Sequence, residues 1–207
     1  VDKDRIIVAT NYGHGTMTSS GYPAVAKLWK RGEDPVSAAI IHQTDTVNMG
    51  VFVSGGEYQG KQYVFVNENV GFYEPTMYIL TPEGLKLIDI PRDVETRGIF
   101  KEEMLLYLQS DWDVSGEIFR RGTLVSFDLP SYLSGKTVVK TIYEPEERAS
   151  LAGVMSTRDF IVAATMENVQ GKLTIYRLNN GKWAGEAVPV PEFGTVGLAG
   201  SDDLSND

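Results

Sequence analysis

The chain has 207 residues, 42% of them hydrophobic, with 21 glycines, nine prolines, no cysteine and a formal net charge of −9. That apolar content can fill a core in one large domain or two small ones, and the lack of cysteine excludes disulfides, thiolate catalysis and cysteine-ligated zinc. The acidic balance argues against a nucleic acid partner, because grip on phosphates needs clustered Lys and Arg.

No run approaches the roughly 18 apolar residues that cross a bilayer. The opening "VDKDRIIVAT" lacks the apolar stretch and small-residue site of a signal peptide. The expectation is a soluble chain with no membrane partner, its compartment left open. Abundant glycine and proline, 10% aromatics and few amphipathic runs favour a turn-rich all-β fold.

In chain order, the first strand-like run is "RIIVAT" (5–10), which leads through "GHGTMTSSGYP" (13–23) into "AVAKLW" (24–29) and then "VSAAIIH" (36–42). A second group follows: "VNMGV" (47–51), "QYVFVN" (62–67), "TMYILT" (76–81) and "GLKLIDI" (84–90). The third is "ETRGI" (95–99), "EMLLYLQ" (103–109), "TLVSFD" (123–128) and "VVKTIY" (138–143), with a short helical turn expected in "LPSYLSGK" (129–136). The fourth is "SLAGV" (150–154), "DFIVAAT" (159–165), "LTIYRL" (173–178) and the weaker "WAGEAVPV" (183–190), after which "GTVGL" (194–198) opens another round.

The glycines at the head of each round, Gly50, Gly98, Gly153 and Gly197, are spaced by 48, 55 and 44 residues. Four strands per period of about 50 residues is the signature of β-propeller blades. The strands are named a to d from the inside outward. The expected blades are 1–46 (partial), 47–94, 95–149 and 150–193, with 194–207 giving the first strand of the next. Three blades are complete and a fourth is split between the ends, either closing a four-bladed ring or belonging to a larger propeller. A glycine in each a strand suits innermost strands that crowd a central channel.

The sequence is poor in catalytic constellations. It has no G-x-S-x-G elbow, its two histidines, His14 and His42, have no serine in an elbow context, and "GHGTMT" fits neither phosphate-loop pattern. No catalytic, cofactor-binding or metal-ligating residue is assigned. Asp111 and Asp113 flank Trp112 after a b strand and are the best carboxylate pair, while Glu102, Glu103, Glu144, Glu146 and Glu147 read as solvated turn charges. Tyr63, Phe65, Tyr78, Tyr107, Phe127 and Tyr176 suit packing between blades. Trp29 is expected to pack similarly, with Lys27, Lys30 and Arg31 in solvent. The b-to-c loops and d-to-a connections share one face, which makes His14, Thr16, Tyr22, Asp111, Trp112 and Asp113 the contact candidates toward a neighbouring domain or substrate.

Several stretches carry a family likeness: "SGYPAVAKLWKRG" (20–32), "SDWDVSGEIFRRGTLVSFDL" (110–129), "EPEERASLAGVMSTRDFIV" (144–162), "ENV" (167–169) and "PEFGTV" (191–196). In these the chain resembles the β-propeller domain of bacterial members of the prolyl oligopeptidase family of serine peptidases. The resemblance implies a segment of a seven-bladed propeller that gates substrate access to an α/β-hydrolase domain carrying a Ser, Asp and His triad. No triad residue maps onto this sequence. The implied partners are that hydrolase domain and a peptide substrate. The alternatives are a self-contained propeller that binds a peptide or protein, or a propeller glycosidase. Unprotected blade faces would also make the isolated segment self-associate.

Overall fold

The computed structural model describes residues 1–72, 75–191, 194 and 196–206. They form two compact units, Val1–Asp93 and Val94–Asp207. In the first, β1 (Arg5–Ala9), β2 (Val25–Lys30) and β3 (Ala39–Gln43) make a three-stranded sheet, and β4 (Gly50–Tyr58), β5 (Lys61–Asn69), β6 (Pro75–Thr81) and β7 (Gly84–Ile88) a four-stranded one. The second unit holds β8 (Glu95–Phe100), β9 (Glu103–Tyr107), a small ribbon of β10 (Trp112–Val114) and β11 (Glu117–Phe119), then β12 (Leu124–Asp128) and β13 (Val139–Tyr143). It ends with β14 (Ala149–Ser156), β15 (Ile161–Glu167), β16 (Gln170–Asn179) and β17 (Lys182–Val188). The sheet orders are β8-β9-β12-β13 and β14-β15-β16-β17, and every pairing is antiparallel.

The three four-stranded sheets are the meandering blades that the periodicity predicts, and the first sheet supplies strands b, c and d of another. Strand a is β4, β8 and β14; b is β1, β5, β9 and β15; c is β2, β6, β12 and β16; d is β3, β7, β13 and β17. The expected helical turn is α1 (Leu129–Leu133), where the Asp128 carboxylate accepts from the Ser131 N–H at 2.8 Å and Pro130 occupies the first turn.

The core lies between sheet faces. In the first unit Ala26, Val51 and Val66 are buried with Ile7, Ala9, Ile41, Val53, Tyr78 and Leu85 around them. In the second, Phe100, Leu105, Phe127 and Ile161 are fully buried. Trp183 of β17 packs on Phe100 with ring centroids 5.6 Å apart and donates its indole N–H to Ser126 Oγ at 2.9 Å.

The structure corrects the sequence reading at specific places. Glu103 is not a solvated turn charge: it is 3% exposed, accepts from Ser126 Oγ at 2.7 Å and is ion-paired with Lys140. Its position at the start of β9, between β12 and β8, brings the carboxylate into the sheet. Lys27 is buried as well. Its ammonium donates to the Val36 carbonyl at 2.5 Å and stands 4.4 Å over the Tyr12 ring, so one carbonyl and an aromatic face replace its water. The ribbon β10–β11 falls where only a b-to-c loop was expected. The run at 194–198 forms no strand in its described part, because residues 196–200 have no backbone ladder partner. Thr195, and Glu192 and Phe193 of the "PEFGTV" landmark, lie outside the described residues.

The head glycines have local reasons. A Cβ on Gly50 would stand 2.7 Å from Tyr22 Cβ and 3.1 Å from the Pro23 carbonyl, so the loop before β2 can close onto β4 only over a bare backbone. Gly98 has φ +97° and sits at the register shift between Thr96 and Ile99, where a bulge needs a left-handed residue.

Two stability outcomes follow from this packing. Gly50→Ala lowers unfolding stability by about 1–3 kcal/mol, the usual cost of forcing atoms into a filled site, read from the urea midpoint. Glu103→Ala leaves Lys140 without its partner and costs about 3–5 kcal/mol, whereas Glu103→Leu combined with Lys140→Leu recovers most of that loss. A double variant no better than the single one would refute the assignment of this pair.

Candidate functional site: the loop end of the sheets

At one end of each unit the b-to-c loops and d-to-a connections are tied together. In the first unit Ser19 N–H donates to the Thr46 carbonyl at 2.8 Å, Thr18 Oγ1 to the Met49 carbonyl at 2.9 Å and Val51 N–H to the Pro23 carbonyl at 2.8 Å. In the second, Asn168 N–H donates to the Arg148 carbonyl at 3.2 Å, and the Gly122 Cα presents its bare side to Pro145, whose Cγ would be 3.0 Å from a Cβ there.

The loop at 13–23 is built from its own polar atoms. Gly13 N–H donates to Asn11 Oδ1 at 2.8 Å, Tyr12 N–H to Thr16 Oγ1 at 2.9 Å and Thr16 Oγ1 to the Gly13 carbonyl at 2.7 Å. Thr18 N–H closes an inner hairpin on the Tyr22 carbonyl at 2.8 Å. Thr16 is therefore half-buried and its hydroxyl is committed within the loop. His14 and Tyr22 are exposed, and Tyr22 rests on Phe52 at 5.4 Å.

The other candidates sit on the ribbon of the second unit. Asp111 Oδ1 accepts from Arg121 N–H at 2.8 Å, and Asp113 Oδ1 accepts from Gly116 N–H at 2.7 Å across the turn. Trp112 is half-buried with Phe119 6.4 Å away. The two carboxylates hold the base and tip of the ribbon, which is a structural use for both. His14, Thr16 and Tyr22 belong to one unit and Asp111, Trp112 and Asp113 to the other.

A polar cluster that sequence reasoning missed joins the two sheets of the first unit. His42 Nε2 is 3.0 Å from Glu68 Oε2, Thr44 Oγ1 donates to Glu68 Oε1 at 2.6 Å and Asn48 Nδ2 donates to Thr44 Oγ1 at 2.8 Å. The His42 ring lies 4.7 Å from that of Tyr78, whose hydroxyl pKa is raised by burial and by the Glu68 charge. The Thr44 hydroxyl is bonded to the glutamate and not to the imidazole, so the cluster ties β3 to β5 without arming a nucleophile. The only sequence signal was a histidine at the end of a d strand, and nothing marked Glu68 as its partner.

The Tyr143 phenol is displaced far from its ordinary value. Burial, with Glu167, Tyr176, Tyr107 and Glu146 around it, pushes its phenol up to about 12, and its hydroxyl has no hydrogen-bond partner among the described residues. Among those residues no group of three or more His, Asp or Glu is gathered closely enough to hold a metal ion, and no helix is long and apolar enough to cross a membrane.

No protein-family model matches the chain. An uncharacterized peptidase of Sinorhizobium fredii is 28% identical over the whole chain, which spans 30% of that protein. One of Rickettsia prowazekii is 29% identical over 88% of the chain and 27% of its own length. Among solved structures, a post-proline cleaving enzyme from Rickettsia typhi superposes with a TM-score of 0.79 at 28% identity, covering 92% of this chain and 29% of that one. A prolyl endopeptidase at 16% identity and TM-score 0.59, covering 97% of this chain and 28% of its own, shares the fold. Four-stranded antiparallel sheets in series and these superpositions define a β-propeller segment. More particularly, the chain is similar to one segment of prolyl-oligopeptidase-like peptidases, spanning under a third of the length of the relatives it matches.

The orphaned phenol gives a pH dependence. Because Tyr143 has a folded pKa of about 12, above the usual value of about 10 for an unfolded tyrosine, its contribution is complete below pH ~10 and is lost as pH rises toward ~12. Tyr143→Phe removes that part of the alkaline loss and leaves neutral stability equal or higher. Urea midpoints measured from pH 9 to pH 12 on both proteins check this.

Proposed function

We propose that the chain is the non-catalytic propeller segment of a prolyl-oligopeptidase-like serine peptidase, limiting which substrates reach a catalytic α/β-hydrolase domain and serving as its scaffold. The observation that carries the reading is the match over the entire chain to less than a third of known peptidases, together with close superposition on a post-proline cleaving enzyme. The chemistry is then supplied by a hydrolase domain joined to this segment: a serine attacks the peptide carbonyl, an acyl-enzyme forms and water releases it. The substrate is a peptide cut after proline.

The geometry supports a framing role for this segment. Its loop end is cross-tied by backbone hydrogen bonds, and the carboxylates of Asp111 and Asp113 are spent on the ribbon, which removes the pair that a glycosidase would need. On this reading, exposed His14 and Tyr22 in one unit, and the ribbon around Trp112 in the other, are the surfaces that meet the hydrolase domain or the passing peptide.

The test compares two polypeptides on a fluorogenic Gly-Pro peptide. The 207-residue chain alone shows no turnover sensitive to a serine-directed inhibitor. A longer natural polypeptide containing it cleaves after proline and is stopped by the same inhibitor. Turnover by the short chain, or an inactive longer protein that binds peptides without cutting them, overturns the proposal.

A further inference from the structure

The sheet of β14 to β17 reverses direction through two tight hairpins of the same kind. Between β16 and β17, Asn180 and Gly181 stand at φ +50° and +74° inside the Asn179–Lys182 pair. Between β15 and β16, Asn168 and Val169 stand at φ +47° and +69° inside the Glu167–Gln170 pair. Two successive left-handed residues suit asparagine followed by glycine. A valine in the second place is strained, because its branched Cβ crowds the backbone there. The like turns at 59–60 and 115–116 also end in glycine, and the one at 101–102 ends in half-buried Glu102, whose carbonyl receives the Leu129 N–H at 2.9 Å.

A second strained turn touches the first. Ala149 N–H donates to the Glu146 carbonyl at 3.0 Å, and the third residue of that turn, Arg148, stands at φ +103°, where glycine or asparagine is usual. The Asn168 N–H in turn donates to the Arg148 carbonyl at 3.2 Å. These ladder and turn bonds fix both backbone conformations from within the chain. Neither side chain is used there: Val169 is 89% exposed, and the Arg148 guanidinium has no ion pair among the described residues.

Backbone strain persists where surrounding structure fixes it, and it gathers at contact and ligand sites. The place of Val169 narrows what can cover it. Neighbouring blades of a propeller pack through the faces of their sheets, whereas Val169 lies beyond the last ladder pair, at the tip of a b-to-c turn on the loop end. Beside it is a notch lined by Glu146, Glu147, Arg148, Ala149, Glu167 and Asn168, with three carboxylates to one guanidinium. The chain spans 30% and 27% of the two peptidases it matches, so most of such a protein is available to cover this end.

We propose that Val169 is a docking knob: its side chain enters an apolar recess on the catalytic α/β-hydrolase domain of the same protein, and a basic side chain at the border of that recess meets Glu146 and Glu147. The proposal rests on the reading of the chain as a propeller segment of a prolyl-oligopeptidase-like peptidase. Val169 is then a positioning residue, which sets how the two domains meet without touching the reacting atoms.

The test uses the longer natural polypeptide that contains these 207 residues. Benzoylphenylalanine in place of Val169 crosslinks on irradiation to the hydrolase domain, as mapped by mass spectrometry. The same group in place of Asn180, exposed at the other end of the sheet, does not. Val169→Gly relieves the turn, so the urea midpoint of the 207-residue chain is equal or higher. In the longer polypeptide the same change speeds limited proteolysis between the domains by at least about threefold, and Val169→Ile behaves as wild type. A crosslink from position 169 to another part of the propeller, no crosslink from it, or Val169→Gly that leaves proteolysis unchanged overturns the inference. A longer polypeptide that has the hydrolase domain and gives the crosslink, yet does not cleave after proline, counts against the proposed function and supports the docking.

Discussion

A blade sheet with apolar side chains on both faces is stable only with a neighbour on each side, and this constraint organises every element of the chain. Burial of apolar area, at about 25 cal/mol per Å², is available only at sheet-to-sheet contacts, because the sheets themselves are one layer thick. In the first unit the contact is the Ala26, Val51 and Val66 cluster with its rim of aliphatic residues. In the second it is the Trp183 ring on Phe100. The same constraint explains why residues 196–200 lie flat on the last sheet instead of extending away: Val196 and Leu198 cover Gly171 and Gly153.

Apolar contact alone would let the sheets slide, since it has no direction. Each unit therefore has a glutamate on a b strand bonded to a basic or imidazole side chain of a d strand. Glu68 of β5 takes His42 of β3, and Glu103 of β9 takes Lys140 of β13 while also receiving Ser126, itself bonded to Trp183. A buried ion pair gives little net stability compared with apolar replacements, but it penalises any arrangement that leaves one member unpaired. Here both glutamates have their second oxygen satisfied by a hydroxyl, from Thr44 or Ser126. These polar groups fix register, and the apolar faces supply the energy.

The repeat was legible because a strand of alternating β-branched and aromatic residues recurs wherever a blade must bury two faces, and because turns restart the pattern at a near-constant interval. The family likeness, carried by landmarks such as "SDWDVSGEIFRRGTLVSFDL", agrees with the superposition. What composition could not reveal is which charges leave solvent. Glu102 and Glu103 are adjacent and alike in sequence, yet Glu102 belongs to the turn before β9 and Glu103 to its first ladder position, so one step along the backbone decides burial. Lys27 was hidden for a related reason: the loop that returns Tyr12 over its ammonium is set by turns among glycines and threonines, not by any charge partner in the sequence. The ribbon at 112–119 was obscured because each of its strands is three residues long, too short for alternation to register.

The loop end shows how a polar, glycine-rich stretch can look like a catalytic loop and be something else. A phosphate cradle or nucleophile turn leaves N–H groups or a hydroxyl pointing outward, ready for a ligand. In the loop at 13–23 the hydroxyls of Thr16 and Thr18 and the amides of Tyr12, Gly13 and Ser19 all turn inward, to the loop or to the connection before β4. The exposed side chains of the loop include His14, Ser19, Ser20 and Tyr22, the last resting on Phe52. That pattern makes a stiff rim with a few adaptable side chains, which suits a surface that meets another domain or a passing chain. The fastening has a definite source: Gly50 lets Pro23 and Tyr22 close against β4, where the Val51 N–H holds the Pro23 carbonyl.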